Sequence, residues 1–149
     1  MVFASTKTST LEVSFSLMNI HELKEHEETD PKHLERLLKE IKSDGILKKP
    51  IAVDKNTGVV LDGAHRLKVL KIMGYSLIPV IILDYKSPSI IVKSWRKGEK
   101  ITKEMVIEAG LSKNKLPPKS SKHMVEINGK IKHISFLEKR VDFPLEKLR

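Results

Sequence analysis

The chain of 149 residues contains no cysteine, which excludes disulfides, thiolate zinc sites and cysteine nucleophiles. Aromatic residues make up only 5% of it, with a single tryptophan. No hydrophobic run approaches the roughly 20 residues that a membrane-spanning helix needs, and the first residues lack the hydrophobic segment of a signal peptide. The sequence therefore predicts a cytoplasmic protein without thiol chemistry and without a membrane partner.

Acidic residues are the scarcer charged class. The chain has 28 lysines and arginines against 19 aspartates and glutamates, a formal net charge of +9. A surplus of this size favours polyanionic partners such as nucleotides, nucleic acid or acidic membrane surfaces, but it does not choose among them. A chain of this length has the size of one ordinary domain.

Hydrophobic periodicity predicts an α+β fold, a single domain in which about three helices pack on a mixed β-sheet. Residues 1–10 lack periodicity and are expected to form a flexible N-terminus, with the folded domain at 11–149. Strands are predicted at 11–17, 50–54, 59–61, 78–83, 90–95, 124–127 and 130–136. Helices are predicted from Pro31 to Gly45, from Gly63 to Gly74, and from Thr102 to Glu108 with Gly110 as its stop.

The stretch 59–70 is the point around which the chain is organised. Its hydrophobic start is followed by Asp62 and Gly63 and then by an apolar-periodic run, which predicts a buried strand that turns sharply into a helix. The free N–H groups at a helix start favour an anion. His65 and Arg66 add cations that oppose the helix dipole unless something negative lies between them. The sequence therefore predicts that this turn binds a phosphate.

The run Asp62-Gly63-Ala64-His65-Arg66 resembles the D-G-H-H-R motif of the ParB/sulfiredoxin superfamily. Within that superfamily the chain is most similar to the archaeal free L-serine kinases, which phosphorylate L-serine to O-phospho-L-serine. Four further stretches are similar to motifs of that family in the same order: His26-Glu27 to P-H-E, 80–85 to V-I-L-D-Y, Ser94-Trp95 to T-W, and 118–123 to P-K-T-T-R-H. The resemblance covers residues 11 to about 148.

The chain departs from the family motifs at three positions. Ala64 replaces the first histidine of D-G-H-H-R, Glu25 replaces the proline before His26, and Lys122 replaces the arginine of the last motif. The span between Trp95 and Pro118 is also shorter than in the longer members. The motifs therefore do not indicate whether ATP or ADP is the phosphoryl donor.

The resemblance implies a ParB/sulfiredoxin-like fold and a phosphotransferase that uses ATP or ADP, with Mg²⁺, to phosphorylate L-serine for cysteine biosynthesis. It implies that Glu27 is the general base for the serine hydroxyl, with Asp62 and His65 as further catalytic residues. Mg²⁺ is expected to be held by phosphate and water rather than by strong protein ligands. The expected serine contacts are His26 and Trp95. The expected nucleotide contacts are Gly63, Ala64, His65, Arg66, Lys119, Ser120, Ser121, Lys122 and His123.

Two of the acidic candidates also have structural interpretations. Glu27 could belong to a solvated acidic group with Glu25 and Glu28, because runs of charge usually face solvent. Asp62 could cap the helix and orient His65, or it could contact Mg²⁺ through water.

The remaining candidate site residues also have more than one interpretation. The segment 119–123 could be a phosphate-binding loop or an ordinary solvated loop. Trp95 could fill the core or form one wall of the serine pocket. Three further histidines, His21, His33 and His133, show no spacing typical of a metal site and are interpreted as surface residues.

The alternative function is a ParB-like nucleotide- or DNA-binding module without kinase activity. No helix-turn-helix follows the predicted domain, which makes nucleic acid the less favoured partner. Sulfiredoxin chemistry would need a cysteine, and a nuclease would need a carboxylate cluster for its metals. A nucleotide sensor that binds without turnover stays open, and the sequence does not indicate an oligomeric state.

Overall fold

The computed structural model describes residues 11–149, so the expected flexible N-terminus at 1–10 lies outside the described residues. In chain order the strands are β1 Ser14–Asn19, β2 Ile46–Leu47, β3 Ile51–Asp54, β4 Val60–Asp62, β5 Leu77–Leu83, β6 Ile90–Lys93, β7 Lys122–Ile127, β8 Lys130–His133 and β9 Phe143–Pro144. The helices are α1 Pro31–Asp44, α2 Ala64–Ile72 and α3 Lys103–Ser112. Single 3-10 turns lie at Ile20–Glu22, Ile134–Leu137 and Leu145–Leu148.

Within residues 11–149 the strands form three sheets rather than one. A four-stranded sheet has the order β1-β5-β3-β4, a three-stranded sheet has the order β6-β7-β8, and β2 pairs with β9. Strands β3 and β5 run parallel, and the other pairs of the four-stranded sheet are antiparallel. The predicted α+β class with three helices and a mixed sheet is confirmed.

Strands β3 and β5 of the four-stranded sheet are buried on both faces, because each face packs against a different hydrophobic cluster. On one face, alternate residues of β3 and β5 pack with α1, α2 and the C-terminal residues Leu145 and Leu148. On the other face, Ala52 and Ile81 pack with residues of α3 and of the three-stranded sheet. The predicted strand at 78–83 is confirmed, and β5 is nearly continuous in its burial because it lies between these two layers.

Helix α1 begins and ends where its local signals predict. The Asp30 carboxylate accepts a hydrogen bond from the Lys32 N–H at 3.1 Å, and Pro31 occupies the first turn, where its missing N–H costs nothing. Gly45 closes the helix in the left-handed conformation, with φ +69°. The apolar face of α1 packs on α2, which carries the first turn of the predicted phosphate site.

The first strand is displaced from its predicted position, and its exposed face is the opposite of the one expected. The prediction was 11–17, whereas β1 covers Ser14–Asn19. Phe15 is 52% exposed although its partner on β5, Ile81, is buried. The reason is that β1 is an edge strand, and the second layer covers Ile81 without extending over Phe15.

The predicted end of α3 is also wrong. The helix continues through Gly110 to Ser112 and ends at Lys113, which has φ +65°. Gly110 is buried against Val59, the residue that precedes β4. An added Cβ at Gly110 would lie 2.7 Å from Cγ2 of Val59. It is therefore a close-packing glycine rather than a helix stop.

Two strands are shorter than predicted, with consequences for the site. The strand predicted at 90–95 ends at Lys93, and the strand predicted at 130–136 ends at His133. Trp95 therefore lies just beyond the end of β6, and His133 is the last residue of β8, at the same end of the three-stranded sheet. Across the described residues, no helix combines the length and the apolar character needed to span a membrane.

Candidate active site

A cavity of about 560 Å³ opens where β4 ends and α2 begins. It lies between the segment before α1, the β4–α2 turn, the loop before β7 and the Trp95 end of the three-stranded sheet. Eleven of the thirteen predicted site residues line it: His26, Glu27, Asp62, Gly63, Ala64, His65, Arg66, Trp95, Lys119, Ser121 and His123. Segments that are far apart in the chain therefore meet at one cavity.

The other two predicted residues, Ser120 and Lys122, do not line this cavity. The Ser120 side chain is buried, and its hydroxyl donates to the Pro117 carbonyl at 2.5 Å, which holds the turn of the loop. The Lys122 ammonium lies 4.5 Å from the centre of the Trp95 ring, a cation–π contact. Both residues support neighbours that do line the cavity.

The β4–α2 turn depends on Gly63. This residue has φ +103°, and an added Cβ would lie 2.3 Å from Cγ2 of Ile51. A register shift between Ala52 and Val53 interrupts the β3–β4 ladder just before the turn, a distortion that redirects the chain. Strand β4 can therefore pass directly into α2.

Helix α2 begins without a side-chain cap in the described part of the chain, because its N-cap residue is Gly63. The interpretation of Asp62 as the helix cap is therefore wrong. Ala64 and His65 line the cavity in the first turn, where backbone N–H groups have no intrahelical acceptor. The start of α2 thus presents free donors and the positive end of the helix dipole to the cavity.

Glu27 is not part of a solvated acidic group. Its side chain is only 17% exposed, and both carboxylate oxygens are hydrogen-bonded to the loop before β7. The N–H of Lys119 donates to Oε2 at 2.9 Å, the N–H of Ser121 donates to Oε1 at 3.0 Å, and the Ser121 hydroxyl oxygen lies 2.9 Å from Oε1. Glu25 is also buried, with the Lys71 ammonium 2.7 Å away. The carboxylate of Glu27 is therefore held in a fixed position at the cavity wall.

His26 extends the hydrogen-bonded group around Glu27. Its Nδ1–H donates to the Val60 carbonyl at 2.8 Å, and its Nε2 lies 2.8 Å from the Ser121 hydroxyl. Burial lowers the pKa of His26, and the Glu27 carboxylate partly opposes that shift. The single hydroxyl proton of Ser121 can go to His26 or to Glu27 but not to both. The three side chains therefore form one coupled hydrogen-bond chain.

His65 is neutral and already hydrogen-bonded. Its Nε2 accepts a hydrogen bond from the Asp30 N–H at 2.9 Å, so Asp30 rather than Asp62 orients the ring. His33 stacks on it with ring centres 4.1 Å apart. Burial lowers the pKa of His65, and the adjacent His33 lowers it further. The expected contribution of a positive charge from His65 is therefore not available near neutral pH.

The Arg66 side chain is held in place by hydrogen bonds at the wall of the cavity. Its Nη1 donates to the Pro50 carbonyl at 2.6 Å, and its Nη2 lies 2.9 Å from Glu138 Oε1 and 3.4 Å from Asp62 Oδ2. The guanidinium side chain is 19% exposed and lines the cavity. Both terminal nitrogens thus already donate to protein acceptors, which argues against a bidentate contact of Arg66 with a phosphate.

His123 is a buried neutral histidine. It is 2% exposed, and its Nε2 lies 2.7 Å from the Tyr85 hydroxyl. Burial lowers the pKa of His123 to about 3, and burial raises the pKa of Tyr85, so that the hydroxyl keeps its proton and donates to the ring. The predicted role of His123 as a phosphate donor is therefore not supported by its hydrogen bonding.

We expect the Tyr85→Phe substitution to lower the free energy of unfolding by about 1–3 kcal/mol, because it leaves a buried ring nitrogen without a donor. Urea unfolding at pH 7 measures this change. Tyr75→Phe removes a hydroxyl from the half-buried Tyr75 and is the matched control, with an expected change within about 0.5 kcal/mol. Equal stability of the two variants would contradict the assignment.

Trp95 does not fill the core. It is 53% exposed, it lines the cavity, and the centre of its ring lies 6.3 Å from that of His133. His33, which is exposed, and His133, which is half-buried, also line the cavity, a position that the sequence did not indicate. No pattern in the sequence indicates this, because a histidine near the start of an exposed helix and one at the end of a strand have no characteristic spacing. His21 is exposed, as predicted.

The described residues have the α+β fold that is also found in a solved free serine kinase. The structure of a free serine kinase in complex with AMP matches with a TM-score of 0.77, covering 93% of this chain and 95% of that chain at 18% identity, which shows the fold. No protein-family profile matches the chain.

The resemblance to the archaeal L-serine kinases is confirmed by two curated relatives. An ATP-dependent L-serine kinase from Staphylothermus marinus is 36% identical over 83 residues, covering 53% of this chain and 33% of the relative. An ADP-dependent L-serine kinase from Thermococcus kodakarensis is 30% identical over 103 residues, covering 66% of this chain and 43% of the relative. The chain therefore spans less than half the length of these relatives.

Proposed function

We propose that the protein is a free L-serine kinase, which transfers a phosphoryl group from ATP or ADP to the serine hydroxyl and forms O-phospho-L-serine for cysteine biosynthesis. The observation that carries the proposal is that the fixed Glu27 carboxylate and the uncapped start of α2 line the same cavity. Phosphoryl transfer needs little more than an aligned nucleophile, a cradle for the phosphates and a proton acceptor. The kinase names of the two relatives support this assignment.

In this proposal Glu27 accepts the proton of the serine hydroxyl as the phosphoryl group is transferred. The N–H groups of Lys119 and Ser121 orient the carboxylate, and the Ser121 hydroxyl links it to His26. Lys119, Ser121 and His26 therefore position the base and do not take part in proton transfer. Trp95 forms one wall of the serine pocket, with Lys122 holding its ring.

The nucleotide phosphates bind at the start of α2, through the backbone N–H groups that follow Gly63 and the ammonium of Lys119. Arg66 contributes its positive charge from below the turn rather than a direct bidentate contact. His65 stabilises the turn, because its Nε2 accepts a hydrogen bond from the Asp30 N–H.

Magnesium fits this donor set as a counter-ion of the phosphates. Among residues 11–149 no group of three or more acidic or histidine side chains could hold a metal ion. Mg²⁺ retains several waters and is commonly bound by one or two carboxylates together with substrate phosphates. Asp62, which is 26% exposed at the cavity wall, is the residue that would contact it, directly or through water. The ion would neutralise charge on the transferred phosphoryl group.

The test is to incubate the protein with L-serine, Mg²⁺ and either ATP or ADP, and to measure O-phosphoserine together with the nucleotide product. We expect O-phosphoserine with at least one donor, with ADP formed from ATP or AMP formed from ADP. Nucleotide binding without O-phosphoserine would favour the ParB-like binding module instead. Absence of both nucleotide binding and product would exclude the kinase and the nucleotide sensor.

A further inference from the structure

Ser121 presents a hydroxyl of the protein itself to the cavity. Among the described residues that line the cavity, it is the one that carries a hydroxyl group. The residue lies directly before β7, and its side chain is half-buried. In the proposed reaction with free serine this hydroxyl has only a positioning role. The cavity therefore contains a potential phosphoryl acceptor that the proposed function does not use.

The contacts of Ser121 are those of an activated nucleophile. Its Oγ lies 2.8 Å from Nε2 of His26, and the Nδ1–H of the same ring donates to the Val60 carbonyl at 2.8 Å. Because a carbonyl oxygen can only accept, the hydrogen of the neutral ring is on Nδ1, and Nε2 is able to take a proton. A hydroxyl that is hydrogen-bonded to a base, with the base oriented by a third group, is the arrangement that activates serine nucleophiles.

The Ser121 hydroxyl also lies near the place where the hydroxyl of free serine must bind. Its Oγ is 2.9 Å from Oε1 of Glu27, the carboxylate that accepts the substrate proton in the proposed function. Two hydroxyl oxygens that contact the same carboxylate at hydrogen-bond distance lie within roughly 8 Å of each other. When free serine is absent, Ser121 is therefore the acceptor that the described cavity offers to the terminal phosphate.

We propose that Ser121 is a phosphorylation site, to which the protein transfers the terminal phosphoryl group of its bound nucleotide when free serine is absent. The proposal rests on the proposed function, since the nucleoside di- or triphosphate must bind at the start of α2. The bond between Oγ and phosphorus forms, and the bond from phosphorus to the bridging oxygen of the nucleotide breaks. The hydroxyl proton passes to Nε2 of His26, and the nucleotide leaves with one phosphate fewer.

The product is a stable ester and not a reaction intermediate. A serine alkoxide is a poor leaving group, so the phosphoryl group does not pass from Ser121 to free serine. The new phosphate carries a charge of about −1.5 to −2 and lies beside the Glu27 carboxylate, which it repels. Phosphorylation of Ser121 therefore lowers kcat for free serine, and the initial rate falls in proportion to the phosphorylated fraction.

The experiment incubates the protein with Mg²⁺ and either ATP or ADP, without L-serine, and follows the intact mass. We expect the gain of one phosphoryl group that persists after the nucleotide is removed, and fragmentation of proteolytic peptides should place it on Ser121. Ser121→Ala should lose this mass gain while it still binds ADP, and Ser121→Thr, which keeps a hydroxyl, should restore the gain. Ser43→Ala, at an exposed position on α1, is the control and should gain as much mass as the unsubstituted protein.

Two further measurements test the chemistry of the transfer. Glu27→Gln should lose O-phosphoserine formation but keep the mass gain, because the proton of Ser121 goes to His26. Saturating L-serine should suppress the mass gain of the unsubstituted protein, since the two hydroxyls compete for one phosphoryl group. Loss of the mass gain in Glu27→Gln would overturn the assignment of the proton to His26.

The remaining outcomes separate this proposal from the proposed function. A protein that forms O-phosphoserine but gains no mass would overturn the proposal, and so would a mass gain that Ser121→Ala retains. A phosphorylated protein with an undiminished rate on free serine would show that the modification does not affect Glu27, contrary to the proposal. Absence of O-phosphoserine with both donors would instead overturn the proposed function.

Discussion

Replacing Glu27 by glutamine should lower kcat for O-phosphoserine formation by about 10²–10⁴-fold, the usual contribution of a positioned general base. The amide is nearly the same size and keeps one oxygen to accept hydrogen bonds from the loop before β7, but it cannot take the serine proton. ADP binding should therefore change little, because the phosphates contact the start of α2. The measurement is kcat and KM for serine, together with the dissociation constant of ADP.

The matched control is Glu28→Gln. Glu28 is the adjacent acid in the chain, and its side chain is exposed. It should retain the kcat of the unsubstituted protein. If the two variants had equal kcat, Glu27 would not be the base. If Glu27→Gln lost ADP affinity in proportion to kcat, its role would lie in holding the Lys119–Ser121 loop rather than in proton transfer.

The Gly63→Ala substitution should lower the free energy of unfolding by roughly 3 kcal/mol or more and should abolish nucleotide binding. Two causes combine at this position. The backbone has φ +103°, which alanine rarely adopts, and the new Cβ would lie 2.3 and 2.7 Å from two atoms of the Ile51 side chain. Ile51 is fully buried in β3 and cannot withdraw, so the turn itself must move.

A control at Gly74 separates these two causes. Gly74 has φ +83°, but an added Cβ there would have no atom within 4 Å among the described residues. Gly74→Ala should therefore lose only the cost of backbone strain, about 1 kcal/mol, and should still bind ADP. Urea unfolding and ADP titration of both variants measure the difference. Equal losses in the two variants would mean that the contact with Ile51 does not constrain the turn.

Local signals account for what the sequence predicted correctly. The bounds of α1 follow from Asp30, Pro31 and Gly45, which are all next to the helix ends. The β3–β4 hairpin and its passage into α2 follow from the hydrophobic run, Asp62 and Gly63. These features depend on residues within a few positions of one another, and a pattern in one sequence can contain them.

The features that sequence reasoning missed depend on contacts between distant segments. Glu138 and Arg66 are 72 positions apart in the chain, and no residue spacing predicts the hydrogen bond between them. The face of β1 was predicted wrongly because alternation shows which side chains share a face but not whether anything covers it. The histidines 65 and 123 were expected to donate to phosphates, but their burial and their hydrogen bonds make them neutral.

No side chain of residues 11–149 caps the start of α2, and this has a practical consequence. Free N–H groups at a helix start bind tetrahedral anions in general and do not recognise adenine or ribose. Orthophosphate or sulfate in a purification or crystallisation solution would therefore compete with the nucleotide for the same place. Affinities are best determined in buffers without such oxyanions.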